Sequence, residues 1–235
     1  SNNFVSHLLT SSGLSATPVI SSIGHLVTGS TDNVLGQMKI SPNGTKLAIC
    51  HMYDKVELFD FDVNTGIVSN LNVLKNNNPD LAYGVEFSPN SEVLYITTLN
   101  QSIENYRVLQ FDLNATNIPA SAQTIFLSSN YNFKFWGIQL GPDGKIYVTQ
   151  PLKTSLAVIH NPNTLGTGCN FQQNAVDLGG KICKLGLPPF VSSFFFTPAI
   201  QFQNACVGES AQFQLCNTTN TSAYLNFGGG NSSTS

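Results

Sequence analysis

Apolar and polar positions alternate along most of this chain in short runs, and clusters of Asn, Ser, Pro and Gly separate the runs. That period of two, broken by turn residues, predicts β-strands joined by hairpins, and no stretch carries a helical period. After the turn Pro42-Asn43-Gly44 the pattern predicts strands over 46–51, 55–63 and 67–74. It then predicts 93–98, 106–113 and 123–127, and finally 146–149, 156–160 and 175–178. Upstream, 4–10 and 19–23 read as the outer strands of a sheet whose inner half is missing.

The strands fall into a repeat. Leu35-Gly36-Gln37-Met38-Lys39-Ile40-Ser41-Pro42, Tyr83-Gly84-Val85-Glu86-Phe87-Ser88-Pro89 and Trp136-Gly137-Ile138-Gln139-Leu140-Gly141-Pro142 each run from an apolar residue through Gly and an alternating strand to a Pro turn. Gly36, Gly84 and Gly137 lie 48 and 53 residues apart, a period that fits the blades of a β-propeller and no helical repeat. Four strands per repeat make one blade. The expected fold is therefore all-β: a partial β-propeller over 1–197, with the outer part of one blade and repeats at 36–82, 83–135 and 136–190. Three and a half blades leave inner strand edges open, which predicts further blades or an additional chain or segment over the open edge.

Composition narrows the setting. Charged residues are 10% of the 235, against about 25% in an average domain, and the net charge is −3 with the cations scattered singly. This argues against nucleic acid as a partner, and no apolar run is long enough to insert in a membrane as a helix. Of the five cysteines, Cys169 with Cys183 and Cys206 with Cys216 are spaced to close short disulfide loops, which leaves Cys50 as a small buried residue. No cysteine has a partner at zinc-ligand spacing.

The strings GQMKISPNGTKLAI (36–49), VELFDFDVNTGIVSN (56–70), YGVEFSPNSEVLYIT (83–97), GIQLGPDGKIYVTQP (137–151) and CKLGLPPF (183–190) resemble the propeller regions of large surface proteins from gliding, type IX-secreting bacteria. The resemblance implies a secreted or cell-surface protein whose propeller is followed by PKD-type β-sandwich modules. Ala205–Phe213 and Tyr224–Gly230 are similar to the opening strand and hairpin of such a module, although its Trp is absent and its Asp is Gly229. This sets a boundary near Thr197 and an incomplete PKD-like sandwich over 198–235.

Candidate chemistry is sparse. Asp60 to Gly66 carries oxygens at alternating positions, but its Gly comes one place late for a calcium loop and no Glu follows at the twelfth, so it reads as a hairpin turn. His7, His25, His51 and His160 fall in different repeats without a nucleophile elbow or acidic dyad. The expectation is no catalytic residue, no metal and no cofactor. Tyr83 and Trp136 could line the binding face at the channel mouth or pack between blades.

Three functions follow. The leading one is a non-enzymatic adhesion, display or gliding-associated protein that meets other surface proteins or extracellular polysaccharide. The alternatives are a sugar-binding or enzymatic propeller, which requires polar groups converging near Lys39, Glu86 and Gln139, and a structural subunit of a secretion or motility complex.

Overall fold

The structure, a computed structural model, describes residues 2–29, 31–76, 80–100, 103, 105–128, 134–189, 199–202, 213–216, 224–226 and 232–234. Two hairpins open the chain. Strands β1 (Asn3–Ser6) and β4 (Val19–Ser22) pair antiparallel, and β2 (Leu9–Thr10) pairs with β3 (Gly13–Leu14) between them. Three four-stranded antiparallel sheets follow, each in chain order. They comprise β5 (Met38–Ile40), β6 (Lys46–Cys50), β7 (Lys55–Asp62) and β8 (Ile67–Asn76); β9 (Leu81–Phe87), β10 (Val93–Asn100), β11 (Asn105–Asp112) and β12 (Gln123–Ser128); and β13 (Ile138–Leu140), β14 (Ile146–Thr149), β15 (Ser155–Ile159) and β16 (Phe171–Asp177). Strand β9 touches both β5 and β13, so the first strand of each blade faces a common axis. The fold is that of a β-propeller arc.

Alternation along the strands gives each blade two apolar faces. Ala48, Cys50, Val56 and Leu58 of blade one meet Val85, Phe87, Leu94 and Ile96 of blade two. The other face of blade two, with Val93, Tyr95 and Val108, meets Ile138, Leu140, Ile146 and Val148 of blade three. All of these side chains are buried, and burying one apolar side chain stabilises by roughly 1.5–3 kcal/mol. The remaining face of blade one carries Leu47, Phe59 and Val68, on which Phe4 and Ile23 pack. The Phe4 and Phe59 rings meet edge-on at 4.9 Å, and the Val68 amide donates to Ser21 Oγ at 2.9 Å. The β1–β4 pair thus lies over β7 and β8, with Leu47 of β6 in the same cluster.

The Ser-Pro-Asn turns have a shared mechanism. Ser41 Oγ donates to Asn43 Oδ1 at 2.7 Å and accepts the Lys46 amide at 2.9 Å; Ser88 does the same with Asn90 at 2.6 Å and Val93 at 2.9 Å. Side chains here replace backbone turn bonds.

A second repeated device joins blade to blade. Cys50, Thr97 and Thr149 hold the same place on the second strand of each blade. Thr97 Oγ1 donates to Trp136 O at 2.6 Å, Thr149 Oγ1 to Leu185 O at 3.1 Å, and the Cys50 thiol points at Gly84 O at 3.7 Å. Each acceptor belongs to the backbone on which the next repeat begins. The glycines make room for this crossing: a Cβ on Gly84 would stand 2.3 Å from Trp136 O, and one on Gly137 2.6 Å from Leu185 O.

Two expectations need correction. Pairing aligns Gln37, not Gly36, with Gly137, because Cys50 N donates to Gln37 O as Thr149 N donates to Gly137 O. The last strand of blade three begins at Phe171 rather than Ala175. A bulge between Leu156 and Val158, with Asn174 at φ 51°, breaks its alternation there. Beyond residue 198 the described residues form two strand pairs, β17 (Ala199–Phe202) with β18 (Phe213–Cys216) and β19 (Tyr224–Asn226) with β20 (Ser232–Thr234). Most of the PKD-like opening strand, 205–212, and the turn 227–230 lie outside the described residues.

Candidate functional site

Lys39, Glu86 and Gln139 each stand three residues before a turn proline, Pro42, Pro89 and Pro142. Because they share that place on the innermost strands, the blades bring them together on the axis. Lys39 Nζ lies 3.1 Å from Glu86 Oε2 and donates a short hydrogen bond to Gln139 Oε1. The Glu86 side chain is fully buried and that of Lys39 is 11% exposed. Burial pushes the Glu86 carboxyl above its ordinary value, against the pull of the Lys39 ammonium and of the Leu140 and Phe87 amides.

The carboxylate has a structural duty as well. Glu86 Oε2 accepts the Leu140 amide at 2.9 Å and Oε1 accepts the Phe87 amide at 3.0 Å. Gln37 Oε1 accepts the Ile138 amide at 3.1 Å. Side chains from blades one and two therefore satisfy the two axis-facing amides of β13, an edge that would otherwise be open. Gln37 went unrecognised in the sequence because its role depends on the one-residue offset from Gly36.

Beside Gln139 lies a cavity of about 470 Å³ lined by Gly141, Pro142, Asp143, Tyr147, Leu156, Leu187 and Pro188, within the ~300–1,000 Å³ of small-molecule sites. Tyr147 donates its hydroxyl to Asp143 Oδ2 at 2.9 Å. The cavity is thus apolar in the main, with Gln139 and Asp143 as its polar markers.

Tyr83 and Trp136 meet each other edge-on at 5.1 Å and pack partly buried against the core between blades two and three. Asp60 and Asp62 are engaged in their own hairpin. Asp60 pairs with Lys46 at 2.5 Å and with Asn70 at 2.6 Å, while Asp62 accepts from Asn64 N and Thr65 Oγ1 at 2.9 and 2.8 Å. His51 faces the buried Glu57 at 3.1 Å and His25 faces Asp54 at 2.7 Å.

The disulfide expected between Cys169 and Cys183 is not formed; both are free and buried, as is Cys50. Asn161 N donates to Cys169 O and Cys183 N to Lys153 O, which sets the two cysteines at opposite ends of β15. Five residues of strand at about 3.3 Å each keep them apart, and a disulfide needs Cα atoms within about 7 Å. Cys206 lies outside the described residues, and Cys216 is paired with Ala199 in backbone register.

No protein family and no curated protein matches the sequence. Solved structures do resemble the fold. A protein from Lactobacillus plantarum aligns over 79% of this chain and 52% of its own, at 14% identity and a TM-score of 0.49. A Bacteroides fragilis protein provisionally named a 6-phosphogluconolactonase aligns over 76% and 52%, at 14% identity and 0.49. An oligogalacturonate lyase in complex with manganese aligns over 62% and 41%, at 14% identity and 0.41. The chain spans about half the length of the first two structures. The expectation of a non-enzymatic adhesion or display protein is corrected in favour of the channel-site alternative, because the polar groups which that alternative requires converge on the axis.

Proposed function

We propose that the chain is part of a sugar-binding or enzymatic propeller whose site lies on the axis at Lys39, Glu86 and Gln139. The observation that carries this reading is the meeting of one polar side chain from each blade at one repeat position. A buried ammonium, a carboxyl and an amide supply donors and acceptors in fixed geometry, which suits hydroxyl-rich ligands. In an enzymatic form, Glu86 is the proton-handling group, because burial raises its proton affinity, and Lys39 stabilises developing negative charge. The charge-poor, Asn- and Ser-rich sequence supports an extracellular setting.

Calorimetric titration of the protein with neutral and acidic mono- and oligosaccharides tests the reading, with product analysis by chromatography. The expected result is binding that Lys39→Ala and Gln139→Ala each weaken by at least tenfold. Sugar binding that all these variants leave unchanged, or no binding across the panel, overturns it.

A further inference from the structure

We infer that the exposed innermost strand of blade one, with Met38 and Ile40 on β5, is the seat of a β-hairpin that carries this same repeat.

The argument is a comparison between blades at equivalent positions. Met38, Val85 and Ile138 are equivalent, as are Ile40, Phe87 and Leu140, because they pair with equivalent residues of the second strand: Ile49, Ile96 and Val148, then Leu47, Leu94 and Ile146. Val85, Phe87, Ile138 and Leu140 are each 0% exposed, whereas Met38 is 55% and Ile40 42% exposed. On the innermost strand the same sequence pattern is thus buried where a preceding blade stands against it and exposed on β5, while Leu47 on β6, 4% exposed, already lies under Phe4 and Ile23. Val34 and Leu35, exposed at 67% and 46%, extend the bare surface.

The occupant is specified by what already covers the outer half of this face. β4 packs on β8, and Phe4 of β1 packs on Phe59 of β7, so β1 and β4 stand where the third and fourth strands of a blade stand. Among the described residues no first and second strand stand there, and one hairpin supplies both. The repeat also states its chemistry. Toward the blade that follows, an inner hairpin presents apolar side chains, a polar residue at the Lys39, Glu86 and Gln139 position, and a hydroxyl or thiol at the Cys50, Thr97 and Thr149 position. The seated hairpin thus adds a fourth polar group to the axis and a donor aimed at the Leu35–Gly36 backbone.

The chain has two methionines, Met38 on the seat and Met52 in the core at 5% exposure. Methyl-labelled methionine therefore gives one reporting signal and one internal control. The probe is a peptide of residues 82–98 whose end residues, directly opposed in the sheet, are replaced by a disulfide-bonded cysteine pair, since a free hairpin is only marginally formed. Its Glu86, Tyr95 and Thr97 form the face presented to the seat. The expected result is a saturable shift of the Met38 signal with Met52 unmoved, weakened at least tenfold by Ile40→Lys. An unmoved Met38 signal, equal movement of both signals, or the same shift from a peptide of scrambled alternation overturns the inference. A Met38 signal that depends on protein concentration alone also overturns it, because a second copy of the chain is then the occupant.

Discussion

Glu86 accepts the backbone amide of Leu140 at 2.9 Å, so the carboxylate of one blade terminates the inner strand of the next. The same oxygen faces Lys39 of the blade before at 3.1 Å, and three blades are thereby tied through a single side chain.

Removal of that side chain is expected to cost more than its neutralisation. Glu86→Ala leaves the buried Lys39 ammonium without its counter-charge and the Leu140 and Phe87 amides without their acceptor, at about 3–5 kcal/mol. Glu86→Gln keeps an acceptor for Leu140 and costs less, about 1–3 kcal/mol. Urea denaturation of the three proteins at neutral pH checks the order.

Glu86 also predicts a pH dependence. Its folded-state pKa is raised above the unfolded value near 4.5, so the folded protein holds the proton longer than the unfolded chain. Its contribution is fully present below the unfolded value and is lost as pH rises through the folded one. The stability difference between wild type and Glu86→Gln should therefore shift against wild type as pH increases from about 4, then level off. Denaturant titrations across that range measure it.

Asp80 has the opposite sign. Burial raises its pKa, but Asn100, Lys75 and Arg107, at 2.9, 3.2 and 3.2 Å, outweigh that and hold it below the usual 3.8. The unfolded chain then binds the proton first, and the contribution present above the unfolded value is lost as pH falls through the folded one. Asp80→Asn should cost about 1–3 kcal/mol at neutral pH. It should also flatten the acid limb of the stability curve in thermal melts.

The stitches between blades are expected to be unequal. Thr97 both donates to Trp136 O at 2.6 Å and accepts the Gly84 amide at 2.9 Å, so Thr97→Val strands a buried amide at about 1–3 kcal/mol and a partly buried carbonyl at less. Cys50→Val removes one long thiol contact and should cost under about 1.5 kcal/mol. Chemical denaturation of the pair decides this.

Peptide mapping without reduction should recover Cys50, Cys169 and Cys183 as thiols that alkylate only after denaturation. Burial pushes the pKa of each upward, which suppresses the reactive thiolate. A 169–183 disulfide in the mapped protein contradicts the structure.

The strands are readable from sequence because alternation and Pro-containing turns are local signals; β14 at Ile146–Thr149 follows from the alternation after Gly141-Pro142-Asp143-Gly144. The axis trio was readable for a related reason, since a polar residue inside an otherwise apolar inner strand has few places to go. The role of Gln37 was hidden by a glycine displaced by one residue. The fate of Cys169 and Cys183 was hidden because proximity in sequence says nothing about which ends of β15 they occupy. The interblade stitches were not readable either, because a Thr or Cys becomes a donor there only when a later repeat crosses its glycine.

That crossing imposes a direction in time on synthesis. The groups that accept from Cys50, Thr97 and Thr149 lie 34, 39 and 36 residues further along the chain. A blade leaving the ribosome has all its strands before it has this last bond, which arrives only with the opening residues of its successor. Each blade therefore completes its own sheet first and gains this contact only after its successor has begun to emerge.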